Sequence, residues 1–289
     1  MMNLWINFWD TFLKALQTLA HVRPAYALLA VALYAISFVI GGARWKAILS
    51  GLGCPSRLRD TSLGILIGIF VNNLTSVGRM GGEISRIALI RKRARINWKR
   101  ATISILYDRL ATVLPVVLLA VLAFSTLRQW LHPWGNYLWI ALPSMALLGI
   151  FGRKWISRKK NLLASVRIDR KKLGAALGYS TLVWVQDVIR LTIVAAALGV
   201  SLNPFQAATL SLVAISCGLL PSLGGFGPTE GGLTATLHLF GVSVETALAI
   251  TVLERSISYV LGTCAGSIAL VALGGMKLLR RSEPLTEPE

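Results

Sequence analysis

Histidine and cysteine are nearly missing from this chain, and their scarcity narrows its chemistry. The three histidines, His21, His132 and His238, are scattered, and none stands at ligand spacing from the carboxylates. No metal is therefore expected. The three cysteines, Cys54, Cys217 and Cys264, form no CxxC pair and sit in or beside apolar segments, where they read as small buried hydrophobes. No Ser-His-Asp, GxSxG or GxxxxGK[ST] pattern occurs. Glycine-rich turns alone are weak signals, so neither an enzyme nor a cofactor is expected.

Acidic residues are scarce as well. Twelve Asp and Glu stand against thirty Lys and Arg, a net charge of +18. The basic residues lie in short loops beside apolar spans rather than on one polar face. That is the pattern of cytoplasmic loops against anionic lipid, so anionic lipids at the cytoplasmic face are expected partners and nucleic acid is not. Charged residues are 15% of the chain, hydrophobic ones 55%, and several apolar runs reach 17 or more residues. Mean hydropathy is +0.65. These values belong to an integral membrane protein.

Residues 4–20 place apolar side chains at helical spacing, interrupted by Asp10, Lys14 and Gln17. This N-terminal segment, 1–24, reads as an interfacial amphipathic helix, without the basic region and cleavage site of a signal peptide. One transmembrane domain is expected over 25–275, then a cytoplasmic tail over 276–289. Within it, 26–43 is a full crossing, ending in Arg44, Lys46, Arg57 and Arg59. The next apolar stretch, 62–71, is about 15 Å as a helix, half a bilayer. It leads through Asn72, Asn73 and Ser76 into a glycine turn, and 84–90 returns to a second basic cluster that begins at Arg91. Basic loops on both sides make this unit a re-entrant hairpin. Residues 101–124 cross outwards and 137–151 cross back to the basic loop 152–172. The helix 173–198 follows, carrying Asp187 and Arg190, which share a face at i,i+3 and are expected to pair structurally. Residues 205–220 and 231–240 form a second hairpin open to the opposite side, and 245–274 crosses inwards. The C-terminus is then cytoplasmic and the N-terminus external, in a bacterial or archaeal cytoplasmic membrane.

The two hairpins carry the same motif. Ser76-Val77-Gly78-Arg79-Met80-Gly81-Gly82-Glu83 returns as Ser222-Leu223-Gly224-Gly225-Phe226-Gly227-Pro228-Thr229-Glu230, with one extra residue and no Arg. Asp108-Arg109 follows the first turn and Glu254-Arg255 the second. The Glu residues are 147 apart and the acid–Arg pairs 146 apart. The expected fold is an all-α membrane protein, a polytopic helical bundle built from two inverted helix–re-entrant hairpin–helix repeats, about 25–124 and 173–275, joined by 137–151.

Nine charges, at Arg79, Glu83, Asp108, Arg109, Asp187, Arg190, Glu230, Glu254 and Arg255, fall inside embedded segments, with Arg86 nearby. Insertion scales put a central charge at about 2.5–3.5 kcal/mol, so nine unpaired ones approach ~30 kcal/mol. They must pair or face water. Two readings follow: ion pairs that hold helices together, or a polar cavity in which Arg79, Arg109 and Arg255 bind an anion. Guanidinium forks match phosphate, and the hairpin tips add backbone N–H donors. Glu83 and Glu230 would hold the Arg side chains, or carry a coupling proton.

At Asn72-Asn73, Gly78–Glu83 with Arg86, Asp108-Arg109, the turn over 221–230 and Glu254-Arg255, the chain resembles the lysylphosphatidylglycerol synthase transmembrane-region family. These are flippase-like membrane proteins, similar to the flippase half of the multiple peptide resistance factor. The resemblance covers roughly 25–275. It implies translocation of a lipid with a polar head between leaflets. The first reading is accordingly a flippase for an anionic or zwitterionic lipid with a phosphate-bearing head group, a phospholipid or a polyprenyl-phosphate carrier. Lysyl-lipid synthesis is not implied, because the sequence shows no soluble aminoacyl-transferase domain. The extra N-terminal crossing of many members is also not seen. Two further readings stay open: a secondary transporter of a small soluble anion, and a membrane scaffold for envelope synthesis.

Overall fold

The structure, a computed structural model, describes residues 2–75, 80–130, 168–218, 220, 222 and 225–274. The expected linking helix 137–151, the loop 131–135, most of the basic loop 152–172, the tail 276–289, and Ser76 and Arg79 lie outside the described residues. Among those described, every regular element is helical.

The chain opens with α1 (Met2–Ala20) and α2 (Pro24–Gly51). Proline starts α2 at little cost, because the first helical N–H has no intrahelical partner. Then come α3 (Leu58–Leu74), α4 (Met80–Ala94) and α5 (Trp98–Trp130). The second half holds α6 (Arg170–Ala197), α7 (Pro204–Gly218), α8 (Pro228–Leu239) and α9 (Val244–Arg255). The Asp169 side chain caps α6 by accepting from the Lys171 N–H at 2.9 Å. A π-helical turn, Ser256–Leu261, joins α9 without a break to α10 (Gly262–Ala272).

The helices outrun the apolar stretches that announce them. Expected to stop at residue 43, α2 continues through Arg44, Trp45 and Lys46, so Arg44 is a buried helical residue and not part of a loop. The expected ten-residue arm at 62–71 is a helix of 17 residues, about 25 Å rather than 15 Å. The polar residues at its ends, Asp60, Thr61, Asn72 and Asn73, stay helical because nothing breaks the backbone ladder before Thr75. Residues 125–130, expected in a loop, continue α5.

Among the described residues, four helical spans are long and apolar enough to cross a membrane: Pro24–Gly51, Trp98–Phe124, Arg170–Ala197 and Val244–Ala272. They turn Leu28, Ile36, Val39, Val117, Val121 and Val271 outwards, an apolar exterior suited to hydrocarbon.

α2 packs along α6. The two run antiparallel, for one core gathers Trp45, Ile48 and Leu49 with Ala176, and the other gathers Ala30 with Leu191, Val194 and Ala195. Each half repeats the same contacts. α3 packs on α2 and α4, and α4 on α5; α7 packs on α6 and α8, and α8 on α9. Across the halves, α3 lies against α10 and α7 against α5. Glycine allows the closest approaches. A Cβ on Gly82 of α4 would overlap the Gly68 carbonyl of α3, and one on Gly266 of α10 would overlap the Leu66 carbonyl. Small residues at such crossings let membrane helices pack backbone to backbone.

Candidate functional site

The first half buries a chain of charges. Asp108 on α5, 1% exposed, accepts from Arg44 of α2, Nε to Oδ1 at 2.7 Å and Nη2 to Oδ2 at 3.3 Å. It also accepts from Arg86 Nη2 of α4 at 2.9 Å. Arg86 reaches Glu83 at 3.2 Å through Nη1 and lies 4.3 Å over the Trp45 ring. Glu83 in turn pairs with Arg109. A carboxylate this deep is matched by two guanidinium groups; burying its charge without them would be prohibitively costly.

The second half buries another. Arg190 on α6 reaches Asp187 Oδ1 at 2.8 Å and Glu254 Oε1 of α9 at 2.9 Å, both from Nη2. Ser211 of α7 donates to Asp187 Oδ2 at 2.5 Å, and Ser258 donates to Glu254 at 3.0 Å. Glu230 pairs with Arg255 at 2.6 Å and accepts from the Gly227 N–H at 2.6 Å, capping its own helix. Gly227 has φ of 91°, a backbone conformation that favours glycine.

The two chains share a plan. In each, an Arg on the opening helix pairs with an acid on the closing one: Arg44 with Asp108, Arg190 with Glu254. In each, the hairpin Glu pairs with the next residue on the closing helix: Glu83 with Arg109, Glu230 with Arg255. Arg44 and Arg190 are 146 apart, the same offset as the acids they bind. The halves differ by one charge each. Arg86 is the extra group in the first and Asp187 the extra group in the second.

Between them lies a cavity of about 360 Å³, a volume within the range of small-ligand sites. Of the residues singled out from the sequence, Asn72, Asn73, Glu83, Arg86, Arg109, Asp187, Arg190, Glu254 and Arg255 line it. Asp108 sits behind the wall on Arg44 and Arg86, and Glu230 behind Arg255. Asp187 and Arg190, expected as a separate structural pair, share the cavity wall with the others.

Asn72 and Asn73 shape one end. Asn72 Oδ1 accepts from the Gly82 N–H at 2.7 Å, serving the exposed amide end of α4. Asn73 donates to Thr263 Oγ1 at 2.8 Å and accepts at its carbonyl from the Tyr259 hydroxyl at 3.1 Å, tying the first hairpin to the π turn.

Sequence reasoning missed Arg44, Tyr34, Trp184 and Ser211, which also line the cavity. Only Arg44 left a signal, its offset of 146 from Arg190.

Residues 4–266 match the sequence profile of the lysylphosphatidylglycerol synthase TM region. The chain belongs to this family. Among its relatives is a UPF0104 membrane protein of Pyrococcus horikoshii, 25% identical, with 96% of this chain and 95% of that relative aligned. Another, from Methanocaldococcus jannaschii, is 24% identical over 90% of this chain and 88% of its own length. A third, from Methanothermobacter thermautotrophicus, is 24% identical over 87% and 86%. The LPG synthase TM match takes in α2 to α9, and so every charge of both buried chains.

Proposed function

We propose that this LPG synthase TM family protein is a lipid flippase that moves a lipid with a phosphate-bearing head group between leaflets. The carrying observation is the cavity lined from both halves by matching charge chains. Arg109, with its side chain 46% exposed, and the Asn72 side-chain N–H offer donors for a phosphate in the cavity, while acyl or prenyl chains stay in lipid.

The proposed frame is an inverted repeat, α2–α5 and α6–α10, with α3–α4 and α7–α8 as re-entrant hairpins. Three features support it: the turn motif, the 146-residue offset between paired charges, and the exchange of contacts α3 with α10 and α7 with α5. Rocking one half against the other would open the cavity to each side in turn. In this frame the basic loops and the C-terminus are cytoplasmic and the N-terminus external.

The test is leaflet exchange in proteoliposomes, using labelled phospholipid and labelled polyprenyl phosphate. Wild type should exchange at least one of them. Arg109→Gln should lower the rate at least tenfold while remaining monodisperse and folded. A wild type that moves no lipid but does move a soluble anion would favour the small-anion transporter instead.

A further inference from the structure

The two charge chains do not balance alike. The first joins Arg44, Arg86 and Arg109 to Glu83 and Asp108, one positive charge in excess; the second joins Arg190 and Arg255 to Asp187, Glu230 and Glu254, one negative charge in excess. At matching places one carboxylate holds two guanidinium groups, Arg44–Asp108–Arg86, and one guanidinium holds two carboxylates, Asp187–Arg190–Glu254.

The second arrangement uses the guanidinium group unevenly. Both carboxylates stand on the single nitrogen Nη2, while Nη1 is buried with no hydrogen-bond partner among the described residues. Guanidinium prefers to bind one carboxylate with two parallel N–H donors. Two carboxylates share one cation in a low-dielectric interior, so the triad carries one negative charge in excess. Asp187 is the accessible member, its side chain 26% exposed against 7% for Glu254, and it faces the cavity.

We propose that the Asp187–Arg190–Glu254 triad is a proton-binding site that couples lipid movement to a proton gradient. This rests on the flippase reading for its coupling, though not for its proton. A proton entering from the cavity bonds to an Asp187 carboxylate oxygen. Ser211 Oγ, which donates to the ionised carboxylate, then accepts from the new O–H. Arg190, released by Asp187, turns both Nη1 and Nη2 onto Glu254. Loss of the proton to the cavity restores the shared arrangement. The step alters the link between α6 and α7, which the Asp187–Ser211 bond carries, and leaves a positive excess across the cavity.

The surrounding groups are consistent with Asp187 as the responding site. From α2 come Tyr34, whose ring lies 5.5 Å from the Arg190 guanidinium, and Arg44, bonded to Ser180 of α6 at 3.3 Å. From α5 come Asp108, neutralised by its two Arg partners, and Arg109, paired with Glu83. α7 carries no charged residue and only Cys217 as an ionisable group; α8 offers Glu230, held by Arg255 of α9. On α1, Lys14 is near Glu245 at the far end of α9.

Infrared difference spectra of purified wild type between pH 8 and pH 5 test the site without transport. A protonated-carboxyl stretching band should appear on acidification, be lost in Asp187→Asn and survive in Glu245→Gln. Ser211→Ala removes a donor to the ionised form, so it should move the band's midpoint to higher pH; this variant keeps the test open if Asp187→Asn does not fold. In proteoliposomes, one pH unit across the membrane is worth a factor of about ten for one-proton coupling. Labelled lipid should therefore settle at up to about tenfold leaflet asymmetry in wild type and near one in Asp187→Asn. A band unchanged in both Asp187→Asn and Glu254→Gln, or an asymmetry that follows a sodium gradient instead of pH, overturns the proton site. Lipid that equilibrates evenly with no band overturns it while the flippase stands. If no lipid moves at all, the flippase reading fails and the band alone decides the proton site.

Discussion

Arg44 grips Asp108 at two points, Nε to Oδ1 at 2.7 Å and Nη2 to Oδ2 at 3.3 Å. With Arg86 added, one buried carboxylate fastens α2, α4 and α5 together. Asp108→Asn leaves Arg44 without its anion and Arg86 with Glu83 alone, and removing one member of a buried pair typically costs about 3–5 kcal/mol. A clearly lowered unfolding temperature in detergent is expected, with partial recovery in Asp108→Asn/Arg44→Gln. Wild-type stability of the single variant would mean that water, not Asp108, compensates these cations.

The same reasoning makes Arg190 harder to replace than a simple pair suggests. Arg190→Ala exposes Asp187 and Glu254 to each other as well as to burial. Asp187→Asn/Arg190→Gln should recover little, because Glu254 stays uncompensated. Recovery should come only when Glu254→Gln is added. Full rescue by the double variant, read from thermal unfolding, would show that Glu254 does not depend on Arg190.

What the sequence disclosed, and what it concealed, follows from how far each interaction reaches along the chain. Asp187 and Arg190 were readable because i,i+3 spacing is a local property, and they do pair at 2.8 Å. The acid–Arg steps at Asp108-Arg109 and Glu254-Arg255 were readable because they recur at a fixed offset in the sequence. Arg44 was not. A charge at the end of an apolar run normally marks a loop, but Arg44 stays inside a helix with partners far along the chain, Asp108 64 positions away and Ser180 136 positions away. The helix ends were misjudged for a related reason: Asn72 and Asn73 read locally as the start of a turn, yet α3 runs through them and their polar groups find partners on α4, the π turn and α10. Tyr34, Trp184 and Ser211 carry no signal that distinguishes them from ordinary helix residues.

Two glycines separate close packing from mere flexibility. Gly82 meets the Gly68 carbonyl and the Asn72 side chain, whereas nothing lies within 4 Å of a Cβ built on Gly231. Gly82→Ala should destabilise by about 1–3 kcal/mol, as overpacking does. Gly231→Ala, inside α8, should be neutral or stabilising by about 0.5–1 kcal/mol through helix propensity. Equal effects of the two in thermal unfolding would deny the close α3–α4 approach.

The inverted arrangement makes a sharper demand, on sidedness. If α3–α4 is a hairpin opening to the cytoplasm, Arg59 at the start of α3 and Lys99 beyond α4 lie on the same side, though nearly all of α3 and the whole of α4 separate them. If α7–α8 opens outwards, Asn203 and Ser243 share the other side. All four residues are exposed in the structure. With Cys54, Cys217 and Cys264 replaced, a single cysteine at Asn203 or Ser243 should react with an impermeant thiol reagent in intact cells. One at Arg59 or Lys99 should react only after the membrane is opened. The basic residues around α3 and α4 give the physical reason, since loops rich in Lys and Arg are retained in the cytoplasm. Opposite sidedness of Arg59 and Lys99 would make the first hairpin a net crossing. Each later helix would then be reversed, and the equivalence between Arg44–Asp108 and Arg190–Glu254 could not arise from inverted halves.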